Sequence, residues 1–229
     1  MATVGKYWRS TVGRKFIMAF SGIALMIYLV IHLAGNLMLF IPDGGRTFNY
    51  YSYLLHQMGP VLNVFRVLLA AAFLFHIITA INVYVQNRRG RSTRYAVYAS
   101  KGGPSKLSAS SRYMATTGLI LLIFVPIHVW MFTLGPYYET VQNGVVLRDL
   151  YRVVVPSFKN PWIAGGYVVT MALLWMHLRH GFWSALQSLG ALRPRWTHAI
   201  YTLGLAFSIL LAGGFLILPL HVLFFVPYP

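Results

Sequence analysis

The amino-acid sequence predicts an all-α integral membrane protein built on five transmembrane helices, and three observations carry that prediction. Of its 229 residues 58% are hydrophobic and only 10% charged, with a mean hydropathy of +0.63, outside the range of a soluble globular domain. Five stretches free of Asp, Glu, Lys and Arg approach or exceed the roughly 20 residues that cross a bilayer as a helix. The basic residues gather in alternate connections, as expected of a chain that crosses repeatedly.

The first apolar stretch runs from Phe16 to Pro42, with a helix expected over about 16–41. It far exceeds the h-region of a signal peptide and no A-x-A-like cleavage site follows, so it is read as a retained helix. Val67 to Asn87 predicts a second helix over 62–87, and Tyr113 to Tyr138 a third over 113–137. Asn160 to Leu178 predicts a fourth over 160–186, and the run from Trp196 onward a fifth over 197–224. Together they form a single membrane domain spanning 1–229.

Loop charge sets the orientation, because short cytoplasmic segments are enriched in Lys and Arg. The amino-terminal segment carries Lys6, Arg9, Arg14 and Lys15, and the loop over 88–112 carries Arg88, Arg89, Arg91, Arg94, Lys101, Lys106 and Arg112. Arg193 and Arg195 lie in the fourth connection. The first and third connections hold all three acids, Asp43, Glu139 and Asp149, against Arg46, Arg148, Arg152 and Lys159. The amino terminus is therefore expected inside and the carboxyl terminus outside. The basic second loop suits anionic lipid headgroups or a soluble partner. Phe48-Asn49-Tyr50-Tyr51 and Gly135-Pro136-Tyr137-Tyr138 read as interfacial aromatic belts.

Several function classes are excluded. The net charge of +16 belongs to membrane topology, since no soluble domain is left to carry a nucleic-acid groove. Zero cysteines exclude disulfides, covalent c-type haem and cysteine-ligated iron–sulfur clusters in this chain. No P-loop, dinucleotide-binding glycine pattern or nucleophile elbow occurs in a supporting context, and no internal sequence repeat stands out.

What remains is histidine. An ionisable side chain deep in a span is costly without a partner and is a functional candidate by default. His32, His76, His128 and His177 each sit deep in a different apolar segment. A lone deep imidazole can equally be hydrogen-bonding glue between helices, but four of them form a pattern. Helical rise of roughly 1.5 Å per residue puts His32 about 24 Å and His128 about 22 Å from the inner ends of their helices. His76 and His177, on helices running the other way, lie about 15 Å and 13 Å from theirs. The histidines thus sort into an outer pair, His32 with His128, and an inner pair, His76 with His177.

Two imidazoles at one depth suit the two axial faces of a six-coordinate haem iron, whereas zinc wants three or four ligands together. The first four helices are accordingly expected to bundle around two b-type haems. Gly181, at i+4 from His177, leaves room beside the ring, and Gly35 and Ala80 stand similarly to His32 and His76. His180, one turn from His177, is the competing inner ligand; His177 matches His76 better in depth. His56, His198 and His221 lie near span ends and are minor candidates. Arg14, Lys15, Arg66 and Arg179 either pair with haem propionates or snorkel to headgroups.

The matching pieces are Gly13-Arg14-Lys15 leading into Ser21-Gly22, His32-Leu33-Ala34-Gly35-Asn36-Leu37, Phe75-His76 ahead of the basic loop, Pro126-Ile127-His128, and His177 with Gly181-Phe182-Trp183-Ser184. Taken in order over nearly the whole chain, this set resembles the single-chain, five-helix, dihaem cytochrome b subunit of succinate:quinone oxidoreductases, the succinate dehydrogenase and fumarate reductase complexes. The resemblance implies an inner haem b on His76 and His177 and an outer haem b on His32 and His128. It also implies a flavoprotein subunit and an iron–sulfur subunit docked on the cytoplasmic face of the cell inner membrane, and a membrane quinone, menaquinone as the expected species. Some members carry an acid near an outer quinone site; here Asp43, Glu139 and Asp149 stand at no matching position.

Two other readings stand beside it. A cytochrome b subunit of another respiratory complex, such as a formate dehydrogenase or hydrogenase, also holds haem on histidines in few helices. A haem-free helical scaffold or transporter would use the deep histidines as glue or proton relays.

Overall fold

A computed structural model describes residues 10–90 and 108–228. Lys6 and Arg9, and most of the basic 88–112 loop with Arg91, Arg94, Lys101 and Lys106, lie outside the described residues.

The elements, in order, are α1 (Thr11–Asn36) running into a 3-10 turn (Leu37–Phe40), α2 (Arg46–Gln57), α3 (Pro60–Arg89), α4 (Ala109–Arg112) and α5 (Met114–Phe132). A hairpin of β1 (Glu139–Gln142) and β2 (Val145–Arg148) follows, then α6 (Tyr151–Lys159), α7 (Pro161–Ser188), a 3-10 turn (Pro194–Trp196) and α8 (Thr197–Phe225). Among the described residues five helices, α1, α3, α5, α7 and α8, are long and apolar enough to cross a membrane. This is a multi-pass, predominantly α-helical membrane protein.

Four of the spans, α3, α5, α7 and α8, carry apolar residues on every side, as a helix in a bilayer can. Thr79 is the buried residue of α3 and Thr117 that of α5. The short connecting helices are different. In α2, Phe48, Asn49 and Ser52 are buried, and in α6, Val153, Val154, Val155 and Phe158; each of these helices has one inward face.

The hairpin departs from the all-α expectation. Asn143 and Gly144 both have positive φ, 53° and 78°, the type I′ turn for which Asn-Gly is the strongest local signal. Glu139 pairs with Arg148 and Gln142 with Val145. The third span is also shorter than the apolar run suggests, ending at Phe132 instead of 137. The Arg148 guanidinium donates to the carbonyls of Phe132 (3.0 Å) and Pro136 (3.2 Å), supplying the donors that the helix end lacks.

Contacts gather the chain into two compact units. The first holds the described residues of Met1–Tyr28, Leu68–Gly118 and Met176–Ser208. It contains Arg14, Lys15, Arg88, Arg89, Arg112, Arg179, Arg193 and Arg195 and, among the described residues, no Asp or Glu. Here Gly204 of α8 admits the Phe182 ring of α7, and Trp183 stacks on Tyr201 with centroids 5.1 Å apart.

The second unit holds the described residues of Leu29–Val67, Leu119–Trp175 and Ile209–Pro229, and all three acids. Its core joins Leu39, Phe48, Val154, Val155, Phe158, Tyr167, Leu218, Val222 and Val226. Asp43 folds the start of α2, accepting bonds from Gly45 N (3.0 Å), Thr47 N (2.8 Å) and Thr47 Oγ1 (2.5 Å). Lys159 Nζ donates to Leu223 O (3.1 Å) near the end of α8, a cation where the helix dipole favours one.

The element order also uncovers a repeat that the bare sequence hides. A long helix, a short amphipathic helix and a second long helix occur twice, as α1–α2–α3 and α5–α6–α7, with α8 unpaired. The matching stretches are Ser21-Gly22 to His32, SGIALMIYLVIH, and Thr117-Gly118 to His128, TGLILLIFVPIH. Apolar residues substitute freely for one another in lipid, which dilutes the repeat to the positions that carry chemistry.

Candidate functional site

In the first unit His76 of α3 lies beside His177 of α7, ring centroids 6.4 Å apart with the planes at 69°. Two groups of α1 hold the His76 ring. Its Nδ1 is 3.2 Å from Met18 O and 3.5 Å from Ser21 Oγ. The Ser21 hydroxyl donates to Ile17 O (2.8 Å) or Met18 O (3.2 Å), so it meets the ring as an acceptor. Both neighbours of Nδ1 are therefore acceptors, which puts the proton on Nδ1 and the lone pair on Nε2.

His177 is held in the same manner. Its Nδ1 is 3.2 Å from Thr117 Oγ1, and that hydroxyl donates to Tyr113 O (3.0 Å) or Met114 O (3.1 Å). Thr117 is 1% exposed. Glycine lets both rings approach. A Cβ at Gly22 would stand 3.3 Å from Cε1 of His76, and one at Gly118 3.3 Å from Cε1 of His177.

In the second unit His32 of α1 lies beside His128 of α5, centroids 5.7 Å apart and planes at 86°. His128 Nδ1 is 3.1 Å from Tyr167 Oη, and Asn36 Nδ2, which donates to His32 O at 2.7 Å, is 3.4 Å from His32 Nδ1. Aromatic rings enclose the pair. Phe124 stacks on His128 at 5.6 Å, Phe132 meets it edge-on at 5.3 Å, and Phe215 lies 5.6 Å from His32. The fifth span therefore contributes to this site through Phe215, beyond the four helices that carry histidines.

The remaining sequence candidates make other contacts. His180 packs beside Trp183, centroids 6.4 Å apart. His56 bonds Ser52 O through Nδ1 (2.7 Å) and meets Arg66 Nη2 at Nε2 (3.3 Å). His221 stacks on Phe40 at 4.3 Å and on Phe225 at 5.9 Å. Two glycines read as space beside a ring have other neighbours. A Cβ at Gly35 would collide with the Tyr51 ring, and one at Gly181 would face Met26 Cε at 3.4 Å and Met114 Cε at 3.8 Å.

Three of the residues that organise these rings, Thr117, Gly118 and Tyr167, were not singled out from the sequence. A signal was present for two of them: Thr117-Gly118 precedes His128 at the same interval at which Ser21-Gly22 precedes His32.

Among the described residues no three His, Asp or Glu side chains converge to hold an ion; the deep histidines meet in twos. Two imidazoles on opposite faces of one metal, with bonds of about 2.0 Å each, have ring centroids about 6 Å apart. The two pairs stand at 5.7 and 6.4 Å, close to that separation. The residues present thus fit a bis-histidine haem. Outside the spans, two titrating groups depart from ordinary behaviour. Slight burial pulls the Asp43 carboxyl up, but the bonds from Thr47, Gly45 and Arg46 outweigh it and hold its pKa below the usual range. Burial raises the Tyr151 phenol, helped by the charges of Asp43 and Asp149.

Comparison of the chain with protein-family models, with curated proteins and with solved structures finds no match.

Proposed function

We propose that this chain is the membrane anchor and electron-transfer subunit of a succinate:quinone oxidoreductase. It carries two b-type haems, one on His76 and His177 and one on His32 and His128. The observation that carries the reading is the meeting of four deep histidines, from four spans, as two ring pairs with centroids 5.7 and 6.4 Å apart, whose imidazoles would hold the two haems. The family follows from the motif set and its order along the chain.

In this reading the haem supplies a reversible one-electron couple when bound. The chain's own residues do the rest. His76 and His177 present Nε2 because their Nδ1 protons are taken by Met18 O, Ser21 and Thr117. Phe124, Phe132 and Phe215 keep water from the outer pair, and a dry shell of that kind tunes potential. Electrons arrive one at a time from an iron–sulfur subunit docked on the basic, cytoplasmic side, where Arg14, Lys15, Arg88, Arg89, Arg112, Arg193 and Arg195 gather. A flavoprotein subunit oxidises succinate there, or reduces fumarate in the reverse direction. Two electrons and two protons convert a membrane quinone, menaquinone as the expected species, to the quinol. The amino terminus lies inside and the carboxyl terminus outside the cytoplasmic membrane.

The deciding experiment is a pyridine haemochrome assay on the purified complex, with haem b counted against this polypeptide. A ratio near two is expected. A ratio near one removes one pair from the reading, and none at all leaves a helical scaffold or transporter. Co-purification with a molybdenum or nickel protein in place of a flavoprotein would assign the chain to a different respiratory complex.

A further inference from the structure

The repeat places a hydroxyl–glycine pair eleven residues ahead of a histidine in both α1 and α5: Ser21-Gly22 before His32, and Thr117-Gly118 before His128. Neither pair touches the histidine of its own helix in this arrangement. Ser21-Gly22 lies against His76 and Thr117-Gly118 against His177. Each of these helices therefore provides a ligand for one pair and a seat for a ring of the other.

We propose that Ser21-Gly22 and Thr117-Gly118 are two copies of one positioning element, which fixes the Nδ1–H tautomer and the rotation of His76 and His177 and so presents both Nε2 atoms to one iron. This rests on the haem reading above. The hydroxyl acts by acceptance: its proton is held by a carbonyl of its own helix, so its lone pair is what faces the ring. The glycine acts by size, since a methyl in its place would stand 3.3 Å from Cε1 and push the ring about its Cβ–Cγ bond. A threonine that bonds back to its own helix is ordinary in a membrane span. Here the same acceptor lies beside the same ring atom in both copies, with glycine next to it each time.

A hydrogen bond from Nδ1–H raises the basicity of the coordinating nitrogen and favours the oxidised metal; losing such an outer partner lowers metal affinity by about 10–100-fold. The test uses the intact complex and four variants: Thr117→Val, Thr117→Ser, Gly118→Ala and Thr170→Val. Thr170 is a buried threonine of α7 whose hydroxyl donates to Gly166 O, and serves as the control for a lost hydroxyl.

In Thr117→Val the inner haem is expected to titrate at a higher midpoint potential and to be lost about 10–100-fold more readily to apomyoglobin, with the outer haem unchanged. Thr117→Ser restores both values, and Thr170→Val leaves them as in the wild type. Gly118→Ala shifts the low-spin electron paramagnetic resonance of the inner haem, because the ring turns. Wild-type potential, haem retention and resonance in both Thr117→Val and Gly118→Ala would overturn the positioning role while leaving the haem assignment standing. A wild-type complex without haem b would overturn the assignment and this inference with it.

Discussion

Asn49 and Asp149, a hundred residues apart in the chain, are joined by a bond of 2.8 Å from Asn49 Nδ2 to Asp149 Oδ1. The other end of the same amide accepts from Tyr151 N at 2.9 Å. Asn49 is 3% exposed, so both of its polar atoms are spent inside the protein. One side chain therefore ties α2, in the first connection, to the start of α6, in the third.

Asn49→Ala should accordingly destabilise this region. The substitution leaves the Tyr151 N–H without its partner and Asp149 Oδ1 with only the Arg152 N–H at 3.1 Å, at a cost of about 2 kcal/mol. Thermal unfolding in detergent should show a lower midpoint, and Asn49→Asp, which sets two carboxylates together, a lower one still. An unchanged midpoint in Asn49→Ala would mean that water replaces the amide without loss.

Asp43 gives the first connection a pH dependence with a definite sign. Its folded pKa is depressed by the bonds from Thr47 and Gly45, so the stabilisation is complete above the unfolded carboxyl value of about 4 and fades as pH falls through the folded value. Exchange protection of the Gly45 and Thr47 amides should therefore be constant at neutral pH and decline in acid. Asp43→Asn should remove that dependence; a protein whose protection in this turn is the same at every pH would contradict it.

For the ligands, His177→Ala should reduce haem b from about two per chain towards one and weaken docking of the soluble subunits, while His180→Ala should leave haem content intact. His32→Ala and His128→Ala should each remove the other haem and spare the one on His76 and His177. Haemochrome counting with spectra of each variant checks these outcomes. Loss of a haem in His180→Ala with His177→Ala unaffected would move the ligand by one turn.

Topology is checked by a reporter joined after Pro229, which should signal from the outer side. A cytoplasmic signal there would reverse the orientation and with it the face on which soluble subunits dock. The charge distribution argues for the outer side: the unit holding the starts of α1, α5 and α8 carries Arg14, Lys15, Arg112, Arg193 and Arg195 and none of the three acids.

The spans were legible because length and apolar composition are one-dimensional properties that a bilayer reads directly. The ends were less so. The run to Tyr138 looked like one helix, but Arg148, sixteen residues past Phe132, takes that helix's last carbonyl. The hairpin was legible in Asn143-Gly144 and was overshadowed by the apolar count on either side.

By itself the sequence determined five helices long and apolar enough to cross a membrane and placed one histidine well inside each of the first four, since rise per residue is constant along a helix. Only the tertiary structure decided which atoms meet. Nothing in the spacing of Thr117 and His177 says that a hydroxyl oxygen will lie 3.2 Å from Nδ1, or that Phe215 of the fifth span will lie against His32. Depth depends on position along one helix, whereas a hydrogen bond depends on the rotation and separation of two. Those are set by the packing of whole helix faces, with the glycines 22, 118 and 204 fixing where side chains can enter.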